Sequence, residues 1–225
     1  MIYLRRLRAT AATVALVVCL QSPVWSQTKK TAPGANQPTP TQPKAAAVQT
    51  DALVQQRFAA CLACHGEGGR SSMPLTPSLA GQHSFYAITQ LFLFREGRRS
   101  NEAMTAMAKG MSDADMRAFS EVIAKLPPPA GADIASLDAK RMASGATSAK
   151  QHRCASCHGA DFSGGQQVAR IANQREDYLL LSLREFQAGK RLGYTPAMNE
   201  ALADVTPEAL QDMAYYLANI PKTAP

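Results

Sequence analysis

Two short segments of this chain place two cysteines and a histidine at the same spacing, Cys-x-x-Cys-His. The first occupies residues 61–65 and the second occupies residues 154–158. Thiols three positions apart can both add to the vinyl groups of one porphyrin, and the histidine that follows can bring an imidazole to the iron. The pattern is typical of covalent c-type haem attachment, and two copies predict two haem c groups and so two redox centres.

Each copy has the same division of roles, with cysteines for covalent attachment and a histidine as one axial iron ligand. The attachment residues are Cys61, Cys64, Cys154 and Cys157, and the axial histidines are His65 and His158. Zinc is an alternative, but it would need further Cys or His ligands near each motif. A thioredoxin-like site would follow a strand, and an exported chain could instead form disulfides. The duplication, the export signal and the methionines downstream favour haem.

The N-terminus has the pattern of a secretory signal peptide over residues 1–26. Three arginines precede an apolar run over residues 9–20, and small residues follow it. The run is short for a membrane span, so we expect cleavage after Ser26, with an uncleaved anchor as the alternative. Covalent haem attachment in bacteria takes place outside the cytoplasmic membrane. The signal and the motifs therefore agree, and we expect a periplasmic protein.

Residues 27–47 are rich in Thr, Pro, Gln, Lys and Ala and have no apolar period, which predicts a disordered tether. Removal of residues 1–26 also removes three arginines and no acid, which leaves 21 basic side chains against 17 acidic ones. This small surplus comes without an aromatic and basic recognition pattern, so we expect no nucleic-acid binding.

The rest of the chain repeats itself. The two motifs are 93 residues apart, and four further pairs are 92 residues apart. Those pairs are Gln82 and Gln174, Tyr86 and Tyr178, Phe94 and Phe186, and Gly97 and Gly189. Three consecutive prolines between the halves cannot continue a helix and indicate a linker. We therefore expect one domain over residues 48–126, a linker over residues 127–136 and a second domain over residues 137–225.

Each half is expected to contain three helices and no strand. The predicted helices run from near residue 50 to 61, over 84–96 and over 112–124, and then from near residue 137 to 154, over 176–188 and over 206–220. Ser84, Ser112 and Thr206 are the expected N-caps, and Gly97 and Gly189 fit the helix ends. All-α domains this small would be only marginally stable if they had an apolar core alone, so we expect a haem to complete the core of each one.

The repeat also points to the second axial ligand of each iron. Met104 and Met198 each stand eight residues before the start of the last helix in their half. Met107 is the main rival of Met104, because Met104, Met107 and Met111 lie at helical spacing, which is common in a core. A thioether favours ferrous iron and raises the reduction potential. It also completes the coordination sphere, which suits electron transfer better than catalysis.

With these features the chain resembles the dihaem cytochrome c4 family over about residues 50–221. The resemblance is carried by the paired motifs, by residues 77–82 (Pro-Ser-Leu-Ala-Gly-Gln), by residues 94–99 (Phe-Arg-Glu-Gly-Arg-Arg) and by Met104 ahead of Met111-Ser112-Asp113-Ala114-Asp115. It implies an all-α tandem pair of small class I cytochrome c domains, each wrapped around a covalently bound haem. It also implies haems that lie near each other and electron delivery to respiratory acceptors such as terminal oxidases.

The resemblance further implies a hydrogen bond from the haem histidine to the carbonyl of Pro77, which would orient the imidazole. The second half lacks both the proline and the glycine of this segment, and Ala169 stands where the proline would be. The Ala169 carbonyl is available for the same bond, but its geometry is left open by the sequence.

These observations favour an exported electron carrier rather than an enzyme. Its partners would be redox proteins, namely a terminal oxidase, other cytochromes or a dehydrogenase, and any membrane association would come through the partner. A small dihaem oxidoreductase, such as a peroxidase or a sulfur-compound oxidase, is an alternative, but we find no convincing acid or base for it. A dedicated cytochrome subunit of a larger dehydrogenase would have the same haem chemistry and a different partner.

Overall fold

The structure is a computed structural model that describes residues 44–221, with side chains from residue 51 onward except that of Ile134. The predicted signal peptide, residues 1–26, lies outside the described residues. So do residues 27–43 of the predicted tether and the last four residues of the chain. Residues 44–47, which we assigned to the tether, are instead the start of a helix.

Within residues 44–221 the fold consists of nine α-helices, two short 3₁₀ turns and no β-strand. The helices are α1 (Lys44–His65), α2 (Ser84–Arg95), α3 (Glu102–Lys109), α4 (Asp113–Lys125), α5 (Ala139–Gln151), α6 (Ala155–His158), α7 (Glu176–Gln187), α8 (Ala197–Leu202) and α9 (Pro207–Ala218). None of these helices is long and apolar enough to cross a membrane. The all-α class predicted from the sequence is confirmed.

The predicted helix starts are confirmed in part. Ser112 caps α4 and forms a reciprocal capping box with Asp115, and Thr206 caps α9 ahead of a proline in its first turn. Ser84 was wrongly predicted as an N-cap. It is the first helical residue of α2, and His83 holds the cap position without a side-chain bond to the helix.

Three short helices, α3, α6 and α8, were not predicted, and α3 and α8 carry Met104 and Met198. Asn101 caps α3 by accepting from the Met104 N–H at 2.9 Å. That cap could have been predicted from the sequence Asn101-Glu102, because asparagine is a preferred N-cap residue. No side chain caps α8, which is held instead by the side-chain amides of Asn199 on α8 itself and of Gln187 at the end of α7.

Each half has its own hydrophobic core. In the first half α1, α2 and α4 meet around Phe58, Leu91 and Phe119. In the second half α5 and α7 pack on α9 around Leu183 and Met213. Apolar faces at helical spacing bury these side chains, so the helices depend on packing more than on propensity.

The linker between the halves is held in place at two points. Its Pro128 lies against Gly81, where an added Cβ would come within 2.6 Å of the proline ring. Further along, the Ala132 N–H donates to the carbonyl of Ile220 at 3.1 Å, which ties the linker to the end of the second half.

Candidate haem sites

The imidazole of His65 is held in one orientation at the end of α1. Its Nδ1 lies 2.7 Å from the carbonyl oxygen of Pro77, and the residue is only 5% exposed. Burial lowers the pKa of His65, although the bond to the Pro77 carbonyl acts in the opposite direction. The ring is therefore neutral near pH 7, with Nδ1 occupied and Nε2 left as the nitrogen for a metal.

His158 has the same arrangement in the second half, although the local sequence differs. Its Nδ1 lies 2.8 Å from the carbonyl oxygen of Ala169, and burial lowers its pKa as well. Asn173 adopts a φ of 56° where Gly81 has a φ of 71°, so the loop keeps its left-handed turn without glycine. The bond comes from a backbone carbonyl, and asparagine tolerates that φ, so the loss of proline and glycine leaves the histidine in place.

None of the four motif cysteines forms a disulfide. Cys61 and Cys154 are half-buried, and burial raises the pKa of both thiols, whereas Cys64 and Cys157 are exposed. No group of three or more His, Cys, Asp or Glu side chains in residues 51–221 could hold a metal ion. Each motif therefore offers two thiols and one oriented imidazole, which fits a haem and does not fit zinc.

A cavity of about 290 Å³ opens beside the first motif. Cys61, Cys64 and His65 line it, and Met104 and Met107 both reach it from α3. Met104 also packs against the apolar core, whereas Met107 is 47% exposed. The chemistry of this lining fits a haem. Met104 is the better placed methionine, and its assignment as iron ligand remains a prediction.

In the second half the predicted methionine lies on α8 and packs against the core. The Asn199 side chain donates to the Phe186 carbonyl at 2.7 Å, and Gln187 donates to the Val205 carbonyl, also at 2.7 Å. These amides fix α8 to the end of α7 and so position Met198. Its role as iron ligand is likewise a prediction.

The two halves contact each other through equivalent residues. The Gln174 side chain accepts from the Ser78 N–H and donates to the Ser78 carbonyl, both at 2.8 Å. Gln82 makes the same exchange with Arg170, at 3.0 and 2.6 Å. Gln82 and Gln174 are 92 residues apart, and so are Ser78 and Arg170. The contact therefore has approximate two-fold symmetry, as a repeated chain allows.

Other residues at this contact were not assigned a role from the sequence. Arg99 donates to the hydroxyl of Tyr178 at 2.6 Å across the halves, and both residues line the first cavity. His83 has its Nε2 3.0 Å from the Ser163 carbonyl oxygen of the other half. The signal for Arg99 and Tyr178 was present, since both occupy repeated positions.

The comparison with known proteins agrees with this geometry. A family model described as cytochrome c matches residues 51–135 and 142–221. A protein named cytochrome c4 from Thiocapsa roseopersicina is 33% identical over 167 residues, which covers 71% of this chain and 86% of the relative. The chain belongs to the dihaem cytochrome c4 family.

Two further matches are to a curated relative and to a solved structure. A thiosulfate dehydrogenase electron acceptor from Thiomonas intermedia is 31% identical over 174 residues, which covers 72% of this chain and 79% of the relative. The crystal structure of reduced recombinant cytochrome c4 from Pseudomonas stutzeri has the same fold. It matches with a TM-score of 0.68 and 24% identity, over 76% of this chain and 98% of the other.

Membership of this family confirms three of the predictions. The protein consists of two tandem cytochrome c domains, it belongs with electron-transfer proteins rather than enzymes, and its family carries covalently bound haem c. The haem supplies a reversible one-electron couple when it is bound. The protein itself fixes the imidazole of each motif through a bond to a backbone carbonyl.

Proposed function

We propose that this protein is an exported, periplasmic carrier that binds two haem c groups with His/Met ligation. Cys61 and Cys64 would attach the first haem, with His65 and Met104 on its iron. The second set, related to the first by the repeat, is Cys154, Cys157, His158 and Met198. The observation that best supports this proposal is that each motif imidazole is buried and has its Nδ1 bonded to a backbone carbonyl.

This arrangement supports electron transfer for a physical reason. A rigid imidazole in an apolar pocket keeps its position when the iron changes charge, so little of the structure must rearrange. A thioether opposite it would leave no position for peroxide or dioxygen. The proposed domain organisation follows the repeat, with domains at residues 48–126 and 137–225 joined by a linker over residues 127–136.

We further propose that the partners are redox proteins, with a dehydrogenase as donor and a respiratory acceptor such as a terminal oxidase or another cytochrome. The relative from Thiomonas intermedia is named as the electron acceptor of a thiosulfate dehydrogenase, which favours a donor that oxidises a small sulfur anion. Any association with a membrane would come through such a partner.

The ligand assignment is tested by optical spectroscopy of the purified holoprotein. A pyridine haemochrome assay should give two haems per chain. The oxidised protein should show the weak near-infrared band of an iron–methionine bond at an intensity that fits two sites. Met104→Ala and Met198→Ala should each remove about half of that band, and Met107→Ala, the matched control on the same helix, should leave it intact. Loss of the band in Met107→Ala would mean that the first ligand is Met107.

The donor is tested by mixing the reduced thiosulfate dehydrogenase of a related bacterium with the oxidised protein in a stopped-flow instrument. If both haems are reduced at a rate well above that measured with an unrelated cytochrome c, the result supports a donor that oxidises a sulfur anion. Failure to reduce, with both haems bound, would overturn that donor while leaving the ligand assignment in place.

A further inference from the structure

Two residues at equivalent positions of the repeat, His83 and Arg175, precede α2 and α7 without capping them. Both hold the N-cap position, and neither side chain bonds to its own helix. Each side chain bonds instead to the other half. His83 Nε2 lies 3.0 Å from the Ser163 carbonyl oxygen, and Arg175 Nη1 donates to the Ser71 carbonyl at 3.1 Å. Ser71 and Ser163 are themselves 92 residues apart, so the repeat has produced the same contact twice.

The loop that His83 contacts lies beside the second candidate haem site. Gly164, which follows Ser163, donates its N–H to the His158 carbonyl at 2.8 Å. It also packs closely on Ala169, because a Cβ at Gly164 would lie 2.6 Å from the Ala169 carbonyl oxygen. That oxygen is the partner of the His158 ring. Only two loop residues therefore separate the His83 side chain from the carbonyl that orients the second motif imidazole.

Arg175 reaches the first candidate site through the equivalent loop. The Ser71 N–H donates to the Ser78 hydroxyl at 3.1 Å. Ser78 directly follows Pro77, whose carbonyl oxygen is the partner of the His65 ring. The guanidinium of the second half is therefore linked to the imidazole of the first half through one short loop, as His83 is linked to the imidazole of the second half.

The two contacts differ in their support. Arg175 donates through Nε and Nη2 to Asp177, at 3.0 and 2.7 Å, and Asp177 also accepts from the Leu75 N–H at 2.9 Å. The second half therefore holds the first loop at two points. Phe85 corresponds to Asp177 in the repeat and has no acceptor in its side chain, so it cannot hold the second loop in the same way. The second site should consequently depend more on His83 than the first site depends on Arg175.

From this geometry we infer that His83 and Arg175 are positioning residues, and that each half sets the orientation of the axial histidine in the other half. The inference rests on the proposed haem binding. A hydrogen bond to the second ring nitrogen fixes the orientation of a ligating imidazole and raises its basicity, so the loop that carries the accepting carbonyl also tunes the iron. A contact made by the first half is therefore expected to act on the haem of the second half.

The test is proton NMR of the oxidised holoprotein, because the hyperfine-shifted methyl resonances of each haem depend on the plane of its axial imidazole. The resonances of the second haem are identified as the set that Ala169→Pro moves, since that change lies beside the His158 ring. His83→Asn keeps a preferred N-cap residue ahead of α2, but its side chain is too short to reach Ser163. It should move the second haem's resonances and leave those of the first haem in place. His83→Gln, whose amide reaches about as far as the imidazole, should restore them.

Arg175→Asn is the equivalent change in the second half, and it should move the resonances of the first haem. The shift should be smaller than that in His83→Asn, because Asp177 still holds Leu75. Arg184→Asn is the matched control, since it replaces an exposed arginine on α7, and it should move neither set.

A His83→Asn protein that binds two haems and has unchanged resonances would overturn the inference. So would a His83→Asn protein in which only the first haem's resonances move, because His83 would then act within its own half. If His83→Asn does not fold, Arg175→Asn decides by the same criterion, with the two haems exchanged. A wild-type protein with fewer than two haems per chain would instead contradict the proposed function.

Discussion

The side chain of Gln174 replaces a missing backbone partner for Ser78. Its amide oxygen accepts from the Ser78 N–H and its amide nitrogen donates to the Ser78 carbonyl, each at 2.8 Å and away from solvent. The pair joins the two halves next to Pro77, whose carbonyl holds the His65 ring. The contact between halves and the orientation of a haem histidine therefore depend on the same short loop.

Replacement of Gln174 by alanine should destabilise the protein by about 2 kcal/mol, because it leaves both backbone groups of Ser78 buried without partners. Urea unfolding of the holoprotein, followed by circular dichroism, measures the change. Gln167→Ala is the control, because that side chain is exposed. A Gln174→Ala protein as stable as the control would show that water takes over the two bonds.

Replacement of Gly81 by alanine should cost more than the same change at Gly97. Both glycines have a positive φ, 71° and 65°, so both variants carry backbone strain of about 1 kcal/mol. Only at Gly81 does the new methyl group meet the linker, 2.6 Å from Pro128, whereas nothing lies within 4 Å at Gly97. The difference between the thermal unfolding midpoints of Gly81→Ala and Gly97→Ala therefore measures how tightly the linker packs. Equal midpoints would mean that the linker moves aside freely.

Replacement of Gly145 by alanine should disrupt the crossing of α5 and α9. A Cβ at this position would lie 2.1 Å from the Asp212 carbonyl oxygen, so the helices would have to separate. We expect a loss of about 3 kcal/mol, in the range of overpacked core sites. Chemical denaturation measures it, with Gly165→Ala as the control in open space. An unchanged midpoint for Gly145→Ala would contradict the close helix crossing.

Asp115 should contribute stability that disappears in acid. The Arg57 guanidinium bonded to it, together with the Ser112 backbone N–H, holds the pKa of Asp115 well below its ordinary value of 3.8. The folded state thus binds the proton more weakly than the unfolded chain, so the stabilisation is complete above about pH 5 and is lost as pH falls through and below 3.8. Asp115→Asn should be less stable than wild type at pH 7, and the difference in unfolding free energy between the two proteins, the gap, should close towards pH 2.

The control for this pH dependence is Asp51→Asn, an exposed residue on α1. Because this side chain is exposed, its replacement should leave the unfolding free energy at pH 7 close to that of wild type. If the gap between Asp115→Asn and wild type stays constant with pH, the contribution of Asp115 is not that of a charged carboxylate.

The fold class and the membership of a haem c family could be predicted from the sequence because both depend on local patterns. The Cys-x-x-Cys-His spacing predicts the attachment residues and one axial ligand of each haem, and the offset of 92 or 93 residues relates one half to the other without any structure. Helical periodicity and the caps at Ser112 and Thr206 are also local, and the structure confirms them. The short helices α3 and α8 were missed because six to eight residues carry too little periodic signal.

What only the tertiary structure decided are the relationships between distant residues. The sequence left open whether Ala169 could replace Pro77 as the partner of a haem histidine, and the answer depended on where a loop of the second half places one carbonyl. Nor did it show that His83 and Arg175, at equivalent positions, each bond to the other half. Such hydrogen bonds depend on three-dimensional distance, which a pattern along one chain does not contain.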